Sequence, residues 1–162
     1  MAVATVDFAA VGRVSRYAEL KAIRVTDVSA TCDPKYAAPL EPEFSHQCSV
    51  VGNENGVLEI SCEYRFSGSA VQRKIVDIAL KYLLTYAMTP VEPLTASDLD
   101  QFAIGNGTLH SWPFVREFLN GLTSRMGVPA FTLGVMHFAP TPAPAPEQAV
   151  VEQAAPVQNP AL

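Results

Sequence analysis

Two stretches of this chain alternate between apolar and polar residues at every second position. Leu58, Ile60, Cys62, Tyr64 and Phe66 alternate with Glu59, Ser61, Glu63 and Arg65. Val76, Ile78, Leu80, Tyr82, Leu84, Tyr86 and Met88 alternate with Asp77, Ala79, Lys81, Leu83, Thr85 and Ala87. A period of two puts one set of side chains on one face of a β-sheet, and that face must be covered. Ala, Leu and Lys in the second stretch favour helix, but the length of the alternation decides for a strand. Two further strands are expected. One runs from Lys21 to Ala30, where the phase shifts at Asp27 and predicts a β-bulge. In the other, Phe44, His46, Cys48 and Val50 alternate with Ser45, Gln47 and Ser49. Gly52-Asn53-Glu54-Asn55-Gly56 signals a hairpin after it, and Ser67-Gly68-Ser69 signals a turn before the fourth strand.

Helical signals flank these strands. Phe8, Val11, Val14 and Tyr17 predict a short helix within Val6 to Leu20. After the breakers Pro90 to Pro93, Thr95 caps a short helix with Asp98 at its third position. Gly105-Asn106-Gly107 is read as a separator before a longer helix. That helix is expected to start at Ser111 as N-cap with Pro113 in its first turn. Val115, Phe118, Leu119, Leu122 and Met126 form its apolar stripe, with Gly127 and Pro129 as the stop. Phe131 to Phe138 is expected to be extended. The Pro/Ala/Gln/Glu-rich remainder lacks the bulky apolar groups of a core and is expected to be disordered. The fold class is therefore α+β, a four-stranded antiparallel sheet followed by two helices. The expected division is an N-terminal helical extension over 1–20, one domain over 21–138 and a disordered tail over 139–162.

The residues from Trp112 to Leu133 also resemble a known family. SecB-type export chaperones carry aromatic-Pro-aromatic-x-Arg-Glu, then Ser-Arg, then Pro-x-hydrophobic-x-Leu. Those positions here are Trp112, Pro113, Phe114, Arg116, Glu117, Ser124, Arg125, Pro129, Phe131 and Leu133, without a gap. The opening Lys21 to Ser29 looks like the family's first strand, and the order of elements is that of a SecB-like fold. The segment before Glu19 is more similar to divergent, stand-alone SecB-like proteins. The resemblance implies an ATP-independent holdase that keeps unfolded polypeptides export-competent for the Sec pathway. The alternative is a chaperone dedicated to one client, such as the antitoxin of a toxin–antitoxin module. It also implies a homotetramer and, through acidic residues on the exposed sheet face, contact with the basic tail of the SecA motor. Asp27 and Asp77 align with two of those acidic positions, and Thr31 stands at a third.

Composition fits this reading. A net charge of −5 with no basic cluster speaks against nucleic acid as a partner. The apolar stretch Ile75 to Met88 contains Asp77 and Lys81 and is too short to insert in a membrane. Cys32, Cys48 and Cys62 are odd in number and widely spaced, the pattern of reduced thiols, and the expected location is the cytoplasm. No phosphate-binding loop or nucleophile elbow is present, so no cofactor and no enzyme activity is expected. His46 and Cys48 share a strand face, but no further residue completes a metal set; His110 and His137 stand alone. Two helices are too few to cover a sheet whose fourth strand is apolar or small on both faces. The candidate client-binding residues are accordingly Tyr64, Phe66, Tyr82, Tyr86, Met88, Phe102 and Trp112. The candidate interface between copies is Leu83, Phe114, Phe118 and Leu122.

Overall fold

The computed structural model of the chain describes residues 4–33, 35, 39–136 and 138–140. Four long strands carry the fold: β2 (Ala18–Cys32), β3 (Glu41–Glu54), β4 (Val57–Ala70) and β5 (Arg73–Met88). They form one antiparallel sheet in the order β2-β5-β4-β3, so the strand with apolar residues on both faces is interior. The register of β2 on β5 shifts between Val25 and Asp27, where the phase change predicted a bulge, and again between Leu20 and Ala22.

The two hairpin turns differ from each other in chemistry. Asn55 and Gly56, at φ 53° and 73°, make the β3–β4 turn with residues that tolerate the left-handed region. The β4–β5 turn does not fall at Ser67-Gly68-Ser69, which instead continue β4 opposite Glu43, Pro42 and Glu41. It falls at Val71 and Gln72, at φ 49° and 59°. The alternation of β4 continues through Ala70, and pairing to both neighbours outweighs a local glycine signal. A β-branched residue is strained at positive φ, and Val71 is 92% exposed with nothing to compensate. The double substitution Val71→Asn with Gln72→Gly is expected to raise stability by roughly 1–2 kcal/mol, read from the urea midpoint.

The N-terminal segment is not one helix to Leu20. It is a strand β1 (Ala4–Val6), a helix α1 (Phe8–Ser15) capped by the Asp7 carboxylate, and then the start of β2. Ala18, Glu19 and Leu20 pair with Met88, Ala87 and Tyr86, and that pairing takes them from the helix. β1 runs parallel to β6 (Phe138–Pro140), so Ala139 and Pro140 belong to a strand rather than to the start of a tail. Backbone pairing needs no bulky side chain, which is why composition did not signal it. His137 and 141–162 lie outside the described residues.

After β5, α2 (Ala96–Phe102), a π turn (Ala103–Gly107) and α3 (Thr108–Arg125) run on without a break. The capping box of Thr95 and Asp98 forms as expected. Gly105-Asn106-Gly107 does not separate the helices, and Ser111 and Pro113 lie inside α3 rather than at its start. The two glycines serve close packing instead. A Cβ on Gly105 would stand 3.1 Å from Val11 Cγ2, and one on Gly107 3.1 Å from Ile60 Cγ2. Ser111 donates to the Gly107 carbonyl at 2.6 Å and accepts from the Tyr64 hydroxyl, so its oxygen ties helix to sheet.

The core lies between this helical run and the inner face of the sheet. Leu58, Ile60, Cys62, Val76, Leu84, Ala103 and Val115 are fully buried there. α1 joins it through α2, where Arg13 bonds the Asp98 carboxylate that also receives Thr95. The Arg13 guanidinium, then the Thr95 donors, hold Asp98 down to about pKa 2. A carboxylate depressed on folding stabilises above its ordinary pKa and loses that contribution as pH falls to the folded value. Between about pH 4 and pH 2, Asp98→Asn is therefore expected to lose less stability than the native chain, measured as urea midpoints at the two pH values.

Candidate functional site: a groove along the β3 edge

A groove of about 740 Å³ opens between β3, α3 and the segment that follows α3. Its floor comes from the inner face of β3, where Phe44, His46 and Cys48 lie opposite Phe66, Tyr64 and Cys62 of β4. The alternation of β3 aims these three side chains the same way. Ile104, Thr108 and Trp112 of the helical run form one wall, and Phe131, Leu133 and Met136 the other. The chain returns past Gly127 so that Phe131 stacks on Phe66 at 4.2 Å between ring centroids. The Trp112 indole donates to the Gly134 carbonyl at 3.1 Å and so fixes the second wall to the first. A smaller recess of about 440 Å³ lies on the far side of Trp112, lined by Pro113, Arg116, Glu117 and Thr132.

The lining is aromatic and adaptable. Phe44 meets Trp112 edge-on at 5.7 Å, and the His46 ring stacks on Tyr64 at 5.8 Å. Burial pushes the His46 pKa down, as it does that of His110, whose Nδ1 shares a hydrogen bond with the Tyr86 hydroxyl at 2.9 Å. Burial thus favours the neutral form of the groove imidazole, and no acidic residue, lysine or arginine is among the lining side chains. Such a surface suits apolar side chains of many shapes, held by contact area rather than by directed bonds. Among the described residues β3 is also an edge strand, and its outer main-chain groups border the groove.

The residues expected to bind clients are mostly elsewhere. Tyr64, Phe66, Tyr82, Tyr86, Met88 and Phe102 are buried core residues, each at most 7% exposed. On the strands, the alternation that marks the first five points them under the helices, not outward, and Phe102 of α2 packs down onto Tyr86. Trp112 is the one member that reaches the groove, at 9% exposure. Missing from the expected set were Phe44, His46, Ile104, Leu133, Met136 and Phe131. The alternation of β3 and the hydrophobic positions after Pro129 carried that signal, but which elements come together is not written in either.

Asp27 and Asp77 both lie exposed on the outer face of the sheet. Asp27 is opposite Lys81, whose ammonium pairs with Glu63 at 3.0 Å, and Lys74 Nζ lies 3.0 Å from Asp77 Oδ2. Thr31 is the residue opposite Asp77. Of the candidate interface residues, Leu83 is half-buried on that outer face, between Arg24 and Ser61. Phe118 and Leu122 are half-buried on α3, and Phe114 is 50% exposed. A second apolar strip accompanies them: Leu20, Val25 and Val28 of β2 share the inner face but extend past the helices and stay exposed. His46 and Cys48 do not form a pair. The imidazole stacks on Tyr64, while Cys48 Sγ lies 3.4 Å from Thr108 Oγ1. No group of three or more metal-ligating side chains occurs among the described residues.

Comparison with solved structures places this fold. The SecB-like chaperone Rv1957 of Mycobacterium tuberculosis, in complex with a ChAD peptide from the HigA1 antitoxin Rv1956, superposes with a TM-score of 0.71. Sequence identity is 19%, over 79% of this chain and 97% of that one. A protein of unknown function from Streptococcus agalactiae aligns at a TM-score of 0.40, with 15% identity over 73% of this chain and 98% of that one. No protein-family model and no curated protein matches the sequence. The fold of this chain is SecB-like: a four-stranded antiparallel sheet with its helices on one face.

Proposed function

We propose that this protein is an ATP-independent holdase that binds unfolded polypeptide in the groove along β3. The single observation that supports this most is the groove itself, an open aromatic trough beside a strand that is an edge among the described residues. An extended client would set its larger apolar side chains against Phe44, Trp112, Phe131 and Leu133. Its backbone lies within reach of the β3 edge, the arrangement of strand addition. Such binding draws on the unfolded state by mass action, without nucleotide. A homo-oligomer, a tetramer by resemblance, is part of the proposal. Leu20, Val25, Val28, Phe114, Phe118 and Leu122 offer it apolar surface, and several grooves on one particle would hold a long client by avidity.

Between the two client readings, one observation favours a dedicated client over export. Of the two acidic residues that would meet the SecA tail, Asp77 is paired with Lys74, and Thr31 occupies the third position. The fold's likeness to a chaperone in complex with an antitoxin peptide agrees with this reading.

The chain has one tryptophan, and it lines the groove. Its fluorescence is therefore expected to shift and saturate on titration with an unfolded, aromatic-rich peptide. Phe44→Asp is expected to weaken that binding at least about tenfold, since a charge must be desolvated against the client. Unchanged affinity in this variant, with native circular dichroism, would place clients somewhere other than the groove. A peptide of the SecA zinc-bearing tail is expected not to bind; saturable binding of it would restore the export reading.

A further inference from the structure

Cys48 and Cys62 occupy directly opposed positions on β3 and β4, both on the inner face. Opposed residues in antiparallel strands have Cα atoms about 4.5–5.5 Å apart. A disulfide spans about 4.4–6.8 Å between Cα atoms. Both thiols are free. Cys48 is 8% exposed and forms part of the groove floor, whereas Cys62 is fully buried behind it. One backbone position rests on both: a Cβ on Gly107 would lie 3.3 Å from Cys62 Sγ and 3.5 Å from Cys48 Cβ. Cys32 is on β2, at the opposite edge of the sheet, and is not a competitor within the chain.

We propose that Cys48 and Cys62 are a reactive dithiol, oxidised by hydrogen peroxide that enters through the groove to a cross-strand disulfide. The Cys48 thiolate attacks one peroxide oxygen and breaks the O–O bond. The leaving hydroxide takes a proton and departs as water, and Cys48 becomes a sulfenic acid. The Cys62 sulfur then attacks the Cys48 sulfur and displaces the hydroxyl, which leaves with the Cys62 proton as a second water. Two thiols and one peroxide thus give one disulfide and two waters. A reducing dithiol reverses the change by thiol–disulfide exchange.

The surroundings assign the two roles. The neighbouring Cys62 thiol, and then the Thr108 hydroxyl 3.4 Å from the Cys48 sulfur, hold the Cys48 pKa below the ordinary cysteine range, against the effect of burial. The neighbouring Cys48 thiol, with burial, pushes Cys62 up. Cys48 is the attacking thiol, open to the groove, and Cys62 the protonated thiol that resolves the sulfenic acid. Closing the S–S bond draws the Cys48 sulfur toward β4 and away from Thr108, the first residue of α3. Oxidation therefore changes the groove floor, whatever occupies the groove.

The test uses the full reduced chain, treated with hydrogen peroxide under conditions that fully oxidise free glutathione. Remaining thiols are then alkylated in denaturant and the digest is read by mass spectrometry. The expected product is a Cys48–Cys62 linked peptide, lighter by two hydrogens, with Cys32 alkylated, and dithiothreitol restores both thiols. In Cys62→Ser the same treatment is expected to stop at a Cys48 sulfenic acid that dimedone traps. Native chain in which Cys48 and Cys62 both remain alkylable overturns the proposal. Native chain in which Cys48 is oxidised while Cys62 stays a free thiol overturns it as well.

Discussion

Trp112→Ala is expected to lower the unfolding free energy by about 3–4 kcal/mol, within the range for truncating a large buried aromatic. Trp112 packs edge-on against Phe44, His46 and Tyr64, with centroid separations of 5.7, 6.0 and 6.5 Å. Its indole nitrogen also holds the Gly134 carbonyl. Removing it opens a cavity between β3 and α3 that three rings line, and it frees the second wall of the groove. Gly134 is exposed, so its carbonyl regains water and adds little to the cost. Trp112→Phe separates the two effects. It keeps most of the ring volume and loses the hydrogen bond, at an expected cost of about 1 kcal/mol. Urea unfolding followed by far-ultraviolet circular dichroism reads both variants without relying on the lost fluorophore. A loss below about 1 kcal/mol for Trp112→Ala would mean that the indole is not packed as described.

Gly107→Leu is expected to cost about 3 kcal/mol, the upper part of the range for overpacking a filled interior. The position is helical, so its backbone accepts any residue. Space is the constraint, because Ile60, Cys62 and Cys48 lie 3.1, 3.3 and 3.5 Å from where a Cβ would be. Two of the three contacts are made with β4, a single interior strand, so the helix must lift rather than the sheet yield. Lifting it also moves Ser111 away from Tyr64, which would leave a buried hydroxyl without its acceptor. The control is Gly121→Leu on α3, where the neighbour is the movable end of Arg125. That variant is expected to stay within about 0.5 kcal/mol of the native chain. Equal effects at the two glycines would sink the packing account of Gly107.

These two sites show where sequence reading succeeded and where it stopped. The four strands, the bulge near Asp27, the capping box at Thr95 and the stop at Gly127 were legible because each depends on residues adjacent in the chain. Phe66 and Tyr82 were legible as apolar strand residues, but their side of the sheet was not. An alternating strand names its apolar face without saying whether helices or other chains cover it. Trp112 came to the groove and the other six expected client residues did not, because α2, the π turn and α3 cover the sheet behind it. The Gly105-Asn106-Gly107 string shows the same ambiguity. A glycine that breaks a helix and a glycine that lets a helix touch a sheet are identical in sequence.

Periodicity and local stop signals were enough to specify an α+β chain with four antiparallel strands and a long helix that ends at Gly127, since those signals act over a few residues. Long-range packing set the rest: that β3 is an edge among the described residues, that the helical run is continuous, and that Phe44, His46 and Cys48 share a groove with Phe131 and Leu133. Those outcomes rest on contacts between residues tens of positions apart. Their energy is set by burial area and fit, and no local pattern encodes either one.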